Sequence, residues 1–239
     1  MIKTNRSYEH ELLDLGPAYY SQEEYDHCLV QLARIGRYLG GNSATLDTLN
    51  KFPGITSIID IGCGGGQFAI QLGQEFPDAA IMGIDISSQA IEFSKTRLSE
   101  TNVKNVQFKH STDLRTIGSN SFDIVTSTLV CHHLNDEQLI DFLKQSYRIS
   151  KQAVVINDLH RHWLAYYGFA LIATLFFPNR LIYHDGLLSI KRAFSKQEWM
   201  DYLKAADIPW EKCSLTWHWA FRWILRIDSS SKSGSSKGS

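Results

Sequence analysis

The sequence predicts an α/β fold built on a doubly wound sheet of seven strands, mostly parallel, with an antiparallel terminal hairpin. Short β-branched runs alternate with helical stretches through the middle of the chain, as βαβ units do. The first run ends in an acid and passes into glycines, and the last third changes to two aromatic-rich strands.

Taken in order, Tyr25, Leu29, Leu32, Ile35, Gly36 and Leu39 recur at helical spacing, so residues 22–39 predict an amphipathic helix with Gly40-Gly41 as its stop. A second short helix is expected over 45–51. Strands follow at 57–61, 79–84, 106–109, 122–128 and 153–157, separated by helices at 68–75, 88–100 and 136–150. Ser195 followed by Glu198 is a capping-box pattern that opens a helix through Ala205. Residues 210–217 and 221–227 then read as the hairpin, with Phe221, Trp223, Leu225 and Ile227 on one face and Arg222 and Arg226 on the other. The predicted organisation is an N-terminal helical cap (1–55), a main domain (56–228) with an insertion after the fifth strand (159–194), and a disordered Ser/Lys/Gly tail (229–239).

A chain of 239 residues with 44% hydrophobic content can bury a core, and 24 Lys+Arg against 25 Asp+Glu leave a charge of -1. That balance provides no broad basic field for phosphates, which argues against nucleic acid as the main partner. Cys28, Cys63, Cys131 and Cys213 stand far apart with no metal-binding spacing. They read as free, buried thiols, with no metal expected. The N-terminus lacks the apolar stretch of a signal peptide, and a cytoplasmic location is expected. Residues 163–177 form an uncharged run too short to span a bilayer. It predicts a helix that is buried, forms a lid, or touches a membrane surface.

Chemistry concentrates in Ile58-Ile59-Asp60-Ile61-Gly62-Cys63-Gly64-Gly65-Gly66. A loop free of side chains lets a nucleoside ligand lie on the backbone at the carboxyl edge of the sheet. The dinucleotide pattern can be placed on Gly64, Gly66 and Ala69, so the glycines alone do not separate cofactors. Asp60 separates them: a carboxylate there repels a pyrophosphate and favours a cationic ligand. Asp85 ends the second strand about twenty residues on, where a carboxylate can take both hydroxyls of a ribose. Asp113, after the third strand, is placed to meet an adenine amino group.

This ordered set, followed by Phe122-Asp123-Ile124-Val125, resembles the class I S-adenosylmethionine-dependent methyltransferases, whose fold is Rossmann-like. It is most similar to the small-molecule branch that includes ubiquinone and menaquinone biosynthesis enzymes, over roughly residues 57–158. The resemblance implies S-adenosyl-L-methionine as cofactor, held by Asp60, Gly62, Gly64, Asp85, Ile86, Asp113 and Leu114. A fainter likeness, in Asp158-Leu159-His160-Arg161, Asp185-Gly186 and Arg192-Ala193-Phe194, is to methyltransferases acting on polyketide-derived phenols and lipid quinols. It implies a small apolar or aromatic acceptor methylated on oxygen or ring carbon.

Such acceptors require a base, and imidazole titrates near neutrality. His133, in the His132-His133 pair after the fourth strand, is the first candidate and His160 the second, while solvated or capping roles are the alternatives. His184-Asp185-Gly186 reads as a turn rather than a base with its orienting acid. Rival readings are an NAD-dependent oxidoreductase and a non-catalytic nucleoside-binding scaffold of the same fold. No Asn-Pro-Pro-Tyr type signature for amino-group acceptors follows Thr126.

Overall fold

The computed structural model describes residues 6–16, 18–38, 41–176 and 179–229. Its sheet has the strand order β3-β2-β1-β4-β5-β7-β6, with β1 Ser57–Ile61, β2 Ala80–Asp85, β3 Val106–His110, β4 Phe122–Thr128, β5 Ser150–Leu159, β6 Cys213–His218 and β7 Arg222–Asp228. Strands β1 to β5 are mutually parallel, whereas β7 runs antiparallel to both β5 and β6. The chain order reverses between β1 and β4, so their carboxyl ends frame the crevice where such sheets bind ligands.

Eight helices join or cover the strands among the described residues: α1 Gln22–Tyr38, α2 Gly41–Leu49, α3 Gln67–Glu75, α4 Ser88–Ser99, α5 Asp136–Ile149, α6 Trp163–Phe176, α7 Arg180–Arg192 and α8 Lys196–Ala205. Alternate strand residues feed two apolar layers. Ile59, Val125, Val154, Ile156 and Leu225 pack with Leu139 and Leu143 of α5 and Trp199 of α8. Ile58, Ile124, Val155 and Ile224 pack with Leu49 of α2 and Phe68 and Leu72 of α3. The Asn135 and Ser195 side chains close capping boxes on α5 and α8.

Three expectations change. Gly41 opens α2 instead of stopping α1, because a Cβ there would meet the Arg222 guanidinium at 2.8 Å and its carbonyl receives Asn157 Nδ2. Strand β5 gains residues at both ends, since Ser150 pairs with Phe122 of β4 and β7 pairs with it as far as Leu159. His184-Asp185-Gly186 is not a turn but lies within α7, where Asn179 caps the first turn and a Cβ at Gly186 would strike Phe169 of α6 at 2.3 Å. Helix packing therefore decided a segment that local turn chemistry misread. Cys28 and Cys131 are buried free thiols, but Cys63 and Cys213 are only half-buried. The expected tail lies, apart from Ser229, outside the described residues, as do Leu39, Gly40, Phe177 and Pro178.

Residues 6–16 form a strap across the carboxyl edge. Asp185 is buried and accepts the Leu12 and Leu13 amides at 2.8 and 3.0 Å. Arg192 is also buried and donates to the carbonyls of Glu9, His132 and His133. Replacing Asp185 with Ala removes both amide bonds and is expected to cost about 1–3 kcal/mol. Hydrogen exchange at the Leu12 and Leu13 amides should speed up relative to the sheet; unchanged protection would show that the strap is held elsewhere.

Candidate functional site

Strand β1 delivers Asp60 and the glycine loop to the crevice. The loop turns sharply at Gly62, with φ +74°, where a Cβ would lie 2.3 Å from Val130 Cγ2. At Gly64, φ is +50° and a Cβ would meet nothing within 4 Å, so the loop backbone there borders open space. The Gly64 amide donates to Asp85 Oδ2 at 2.8 Å and the Ser87 amide to Asp85 Oδ1 at 2.8 Å. Asp85 is thus locked in orientation with a lone pair left on each oxygen.

Asp60 is buried and receives the Thr126 hydroxyl at 3.0 Å. Burial, reinforced by the Asp85 charge, pushes its pKa up to about 7. Beside it, Thr128 Oγ1 is closed off from solvent with no hydrogen-bond partner among the described residues.

A cavity of about 540 Å³ runs from this loop to the space under α6 and α7. Asp60, Gly62, Gly64, His133 and His160 line it; Asp85, Ile86, Asp113 and Leu114 do not. Ile86 is exposed, and its carbonyl meets His110 Nε2 at 2.9 Å. Asp113 accepts the Arg115 amide and pairs with the Arg115 guanidinium at 3.7 Å, capping the short turn that Leu114 begins. Of these four, Asp85 is joined to the cavity wall, through the Gly64–Asp85 bond.

The far end carries the histidines. His132 is buried on the turn after β4, its Nδ1 2.7 Å from Asp158 Oδ1 and its amide donating to Asp158 Oδ2. Burial would raise Asp158, but His132 and the surrounding hydrogen bonds outweigh it and hold the carboxyl below its ordinary pKa. His133 is half-buried, with Nδ1 3.0 Å from Asp14 Oδ1. Burial acts to lower its pKa, yet the Asp14 hydrogen bond and the Glu11 and Asp14 charges raise it overall. His160 accepts the Trp217 indole N–H on Nδ1 at 3.2 Å and lies 4.9 Å, ring to ring, from Trp223. Burial, followed by the nearby His162 and Arg161 charges, pushes it down to about 4. It is a neutral ring at physiological pH, and a weak base.

Sequence reading ranked His133 over His132 and had no means of finding Glu11 or Asp14. Glu11 is buried, 3.8 Å from His132 Nε2 and 3.8 Å from His133 Nδ1. It takes a hydrogen bond from Ser189 at 2.8 Å. Arg222 is a third such residue: buried, lining the cavity, donating to Asn157 and with an Nε that has no hydrogen-bond partner among the described residues. Arg222 was assigned only to a strand face, and nothing local marked it further.

Residues 58–153 match the family model described as a methyltransferase domain. Curated relatives include malonyl-[acyl-carrier protein] O-methyltransferase of Bacillus anthracis, 33% identical over 131 residues, which covers 55% of this chain and 42% of the relative. Demethylmenaquinone methyltransferase of Lactococcus lactis is 28% identical over 121 residues, 48% of this chain and 47% of the relative. The chain thus spans less than half the length of these relatives. Among solved structures, the plantazolicin methyltransferase BpumL in complex with a desmethyl substrate analogue and SAH superposes with TM-score 0.67 at 16% identity, covering 91% of this chain and 93% of the other. An S-adenosylmethionine-dependent methyltransferase from Aquifex aeolicus gives TM-score 0.63 at 15% identity, covering 86% and 98%. Domain match, sheet topology and glycine loop agree: residues 58–153 match a methyltransferase domain, and the fold is that of the S-adenosylmethionine-dependent methyltransferases.

Proposed function

We propose that the chain transfers a methyl group from S-adenosyl-L-methionine to oxygen or ring carbon of a small apolar metabolite, phenolic, quinol-like or polyketide-derived. The observation that carries this reading is Asp60: a buried carboxyl on the cavity wall, raised to about 7 by its burial, beside a glycine-rich loop. The bound cofactor supplies an electrophilic methyl on a cationic sulfur and also carries an ammonium group. The residues present suit it. Asp60 faces the cationic part, Gly62 and Gly64 let the backbone approach, and Asp85 offers two oriented oxygens to a ribose. Ile86, Asp113 and Leu114 flank the adenine side. A pyrophosphate would meet the same Asp60 carboxylate unfavourably, which disfavours the NAD reading.

The acceptor end is mostly apolar, with Leu164, Phe169 and Ile172 of α6 and Ile182 of α7 on its walls. His160 carries its proton on Nε2, because Nδ1 accepts from Trp217, so it serves the acceptor as a hydrogen-bond donor. His133 lies in the polar cluster where a hydroxyl acceptor would be held. Methyl transfer then needs little from the protein beyond alignment. The demethylmenaquinone methyltransferase relative is compatible with a quinol-like acceptor. Trp163, Tyr167 and Leu171, at four-residue spacing, leave an apolar stripe of α6 exposed. We assign it to peripheral contact with a membrane that stores such acceptors; no helix among the described residues is long and apolar enough to cross one.

Calorimetry with S-adenosylhomocysteine, alongside NAD, tests the cofactor. Binding of the first alone is expected, and binding of NAD alone would overturn the reading. Asp85→Ala should weaken S-adenosylhomocysteine by about tenfold or more, the loss of hydrogen bonds to a charged group; wild-type affinity would remove the ribose assignment.

Asp60 gives a pH signature. Ligand binding favours its charged form, so affinity should fall as pH drops below 7, by up to about tenfold per unit. Asp60→Asn should bind weakly with a flatter profile. Because the folded pKa lies above the unfolded one, the charge costs stability progressively from about pH 4 to 7 and fully above that. The ligand-free Asn variant should therefore melt higher than wild type at pH 8, with the gap closing towards pH 4. An unchanged melting temperature at pH 8 would contradict the buried charge.

Partition onto vesicles should drop several-fold when Trp163, Tyr167 and Leu171 are changed together to Ser. Partition equal to wild type would place the stripe elsewhere.

A further inference from the structure

We propose that Glu11, His132 and His133 form a binding site for one divalent transition-metal cation of the zinc or cobalt class, on the wall of the acceptor cavity. One ligand atom from each of the three residues lies within 4.8 Å of the others. Both imidazoles face the same carboxylate, His132 Nε2 at 3.8 Å from Oε1 and His133 Nδ1 at 3.8 Å from Oε2. A zinc ion at roughly 2.0–2.1 Å from each ligand sets neighbouring ligand atoms roughly 3.3 Å apart. The cluster thus needs to close by roughly 0.5–1.5 Å to grip one.

His132 is the best-defined ligand. Its Nδ1 lies 2.7 Å from the buried Asp158, which orients the ring so that Nε2 faces Glu11 at 3.8 Å. Carboxylate–histidine–metal relays are built this way, the carboxylate fixing tautomer and ring orientation. Nε2 and the Glu11 carboxylate thus face each other in a buried place, too far apart for a direct hydrogen bond. Glu11 is only 3% exposed, and among the described residues only Ser189 donates a hydrogen bond to it. A buried carboxylate served by one hydroxyl is costly unless a positive charge completes its shell.

The surrounding charges agree. Glu11, Asp14 and Asp158 bring three negative charges to the cluster. Arg192 answers Asp14 at 3.3 Å, while Arg6 is paired with Asp136 at 3.5 Å. Glu11 and Asp158 face imidazoles rather than guanidinium groups. Asp14, 3.0 Å from His133 Nδ1, stands ready as a fourth ligand once that nitrogen gives up its proton. Two imidazoles and a carboxylate suit zinc, cobalt or nickel better than magnesium or calcium, which prefer all-oxygen sites. Glu11, His132 and His133 all line the cavity, so an open coordination position would face the acceptor, as in catalytic rather than structural sites. Occupancy of the site does not depend on the methyl-transfer reading; its use in catalysis does.

The test is metal content. Protein stripped with chelator, loaded with Zn²⁺ or Co²⁺ and desalted should retain about one equivalent per chain by elemental analysis, with the Co²⁺ form absorbing in the visible. Glu11→Gln, His132→Ala and, at the half-buried position, His133→Gln should each retain less than about a tenth of that, whereas the exposed His27→Gln should retain it all. S-adenosylhomocysteine binding measured on the same samples verifies folding and reports on the methyltransferase reading separately. Failure of the wild-type chain to retain metal overturns the site, as does retention that survives Glu11→Gln and His132→Ala. A protein that binds S-adenosylhomocysteine but no metal would refute this inference alone.

Discussion

The carboxyl edge of the sheet depends on a set of buried charges that tie residues 6–16 across it. The turn carrying His132 and His133 presents carbonyls to which two buried arginines from distant parts of the chain donate. Arg192 reaches the carbonyls of His132 and His133, and Arg6 those of His132 and Leu134. Each guanidinium would be costly to bury alone, and each carbonyl costly to leave unpaired. Together they satisfy one another, and Arg6 further stacks over Phe194 at 4.6 Å. The strap that brings Glu11 and Asp14 to the cavity is therefore held by the same bonds that fix the histidine turn.

The cavity consequently has two electrostatic ends and an apolar middle. At one end Asp60 stands as a lone buried carboxyl on β1. At the other, Glu11, Asp14 and Asp158 are interleaved with two imidazoles. The intervening walls come from α6 and α7, whose lining side chains include Leu164, Phe169, Ile172 and Ile182. In a displacement that asks mainly for alignment, such separation is the protein's principal contribution.

Legibility in the sequence followed the range of the interaction. Strands β1 and β4 begin and end where the β-branched runs do, and Asp60, Gly62, Gly64 and Asp85 were readable because strand, acid, glycines and next strand lie in one short stretch. The hairpin was readable as two strands, but Arg222 and Ile224 are buried as well as Trp223, Leu225 and Ile227, and a short helical turn at 210–212 precedes β6. Glu11 and Asp14 were not readable. They lie more than a hundred residues from His132 and His133, in a polar segment with no periodicity, and only the strap brings them there. His133 looked the better base for the same reason: adjacency shows two histidines, but only the fold shows that Asp158 holds the first. Asp185 was read as part of a turn because Asp-Gly favours one locally, whereas the close approach of Phe169 to Gly186 is a tertiary matter.

That division says where acceptor specificity must reside. The glycine loop and its acids belong to the sheet, whose geometry is fixed by strand pairing and two packed layers. The acceptor walls belong to α6, α7 and the strap, which meet the sheet through Asp185, Arg192 and the packing of Phe169 on α7. Leu164 and Ile172 line the cavity and yet are partly exposed, so they form a thin cover rather than a core. Substitutions there can reshape the acceptor pocket at small cost to the sheet, because few core side chains rest on them. A change at Arg192 or Asp185 acts on both at once, since the bonds that seat the cover also hold the strap or the histidine turn.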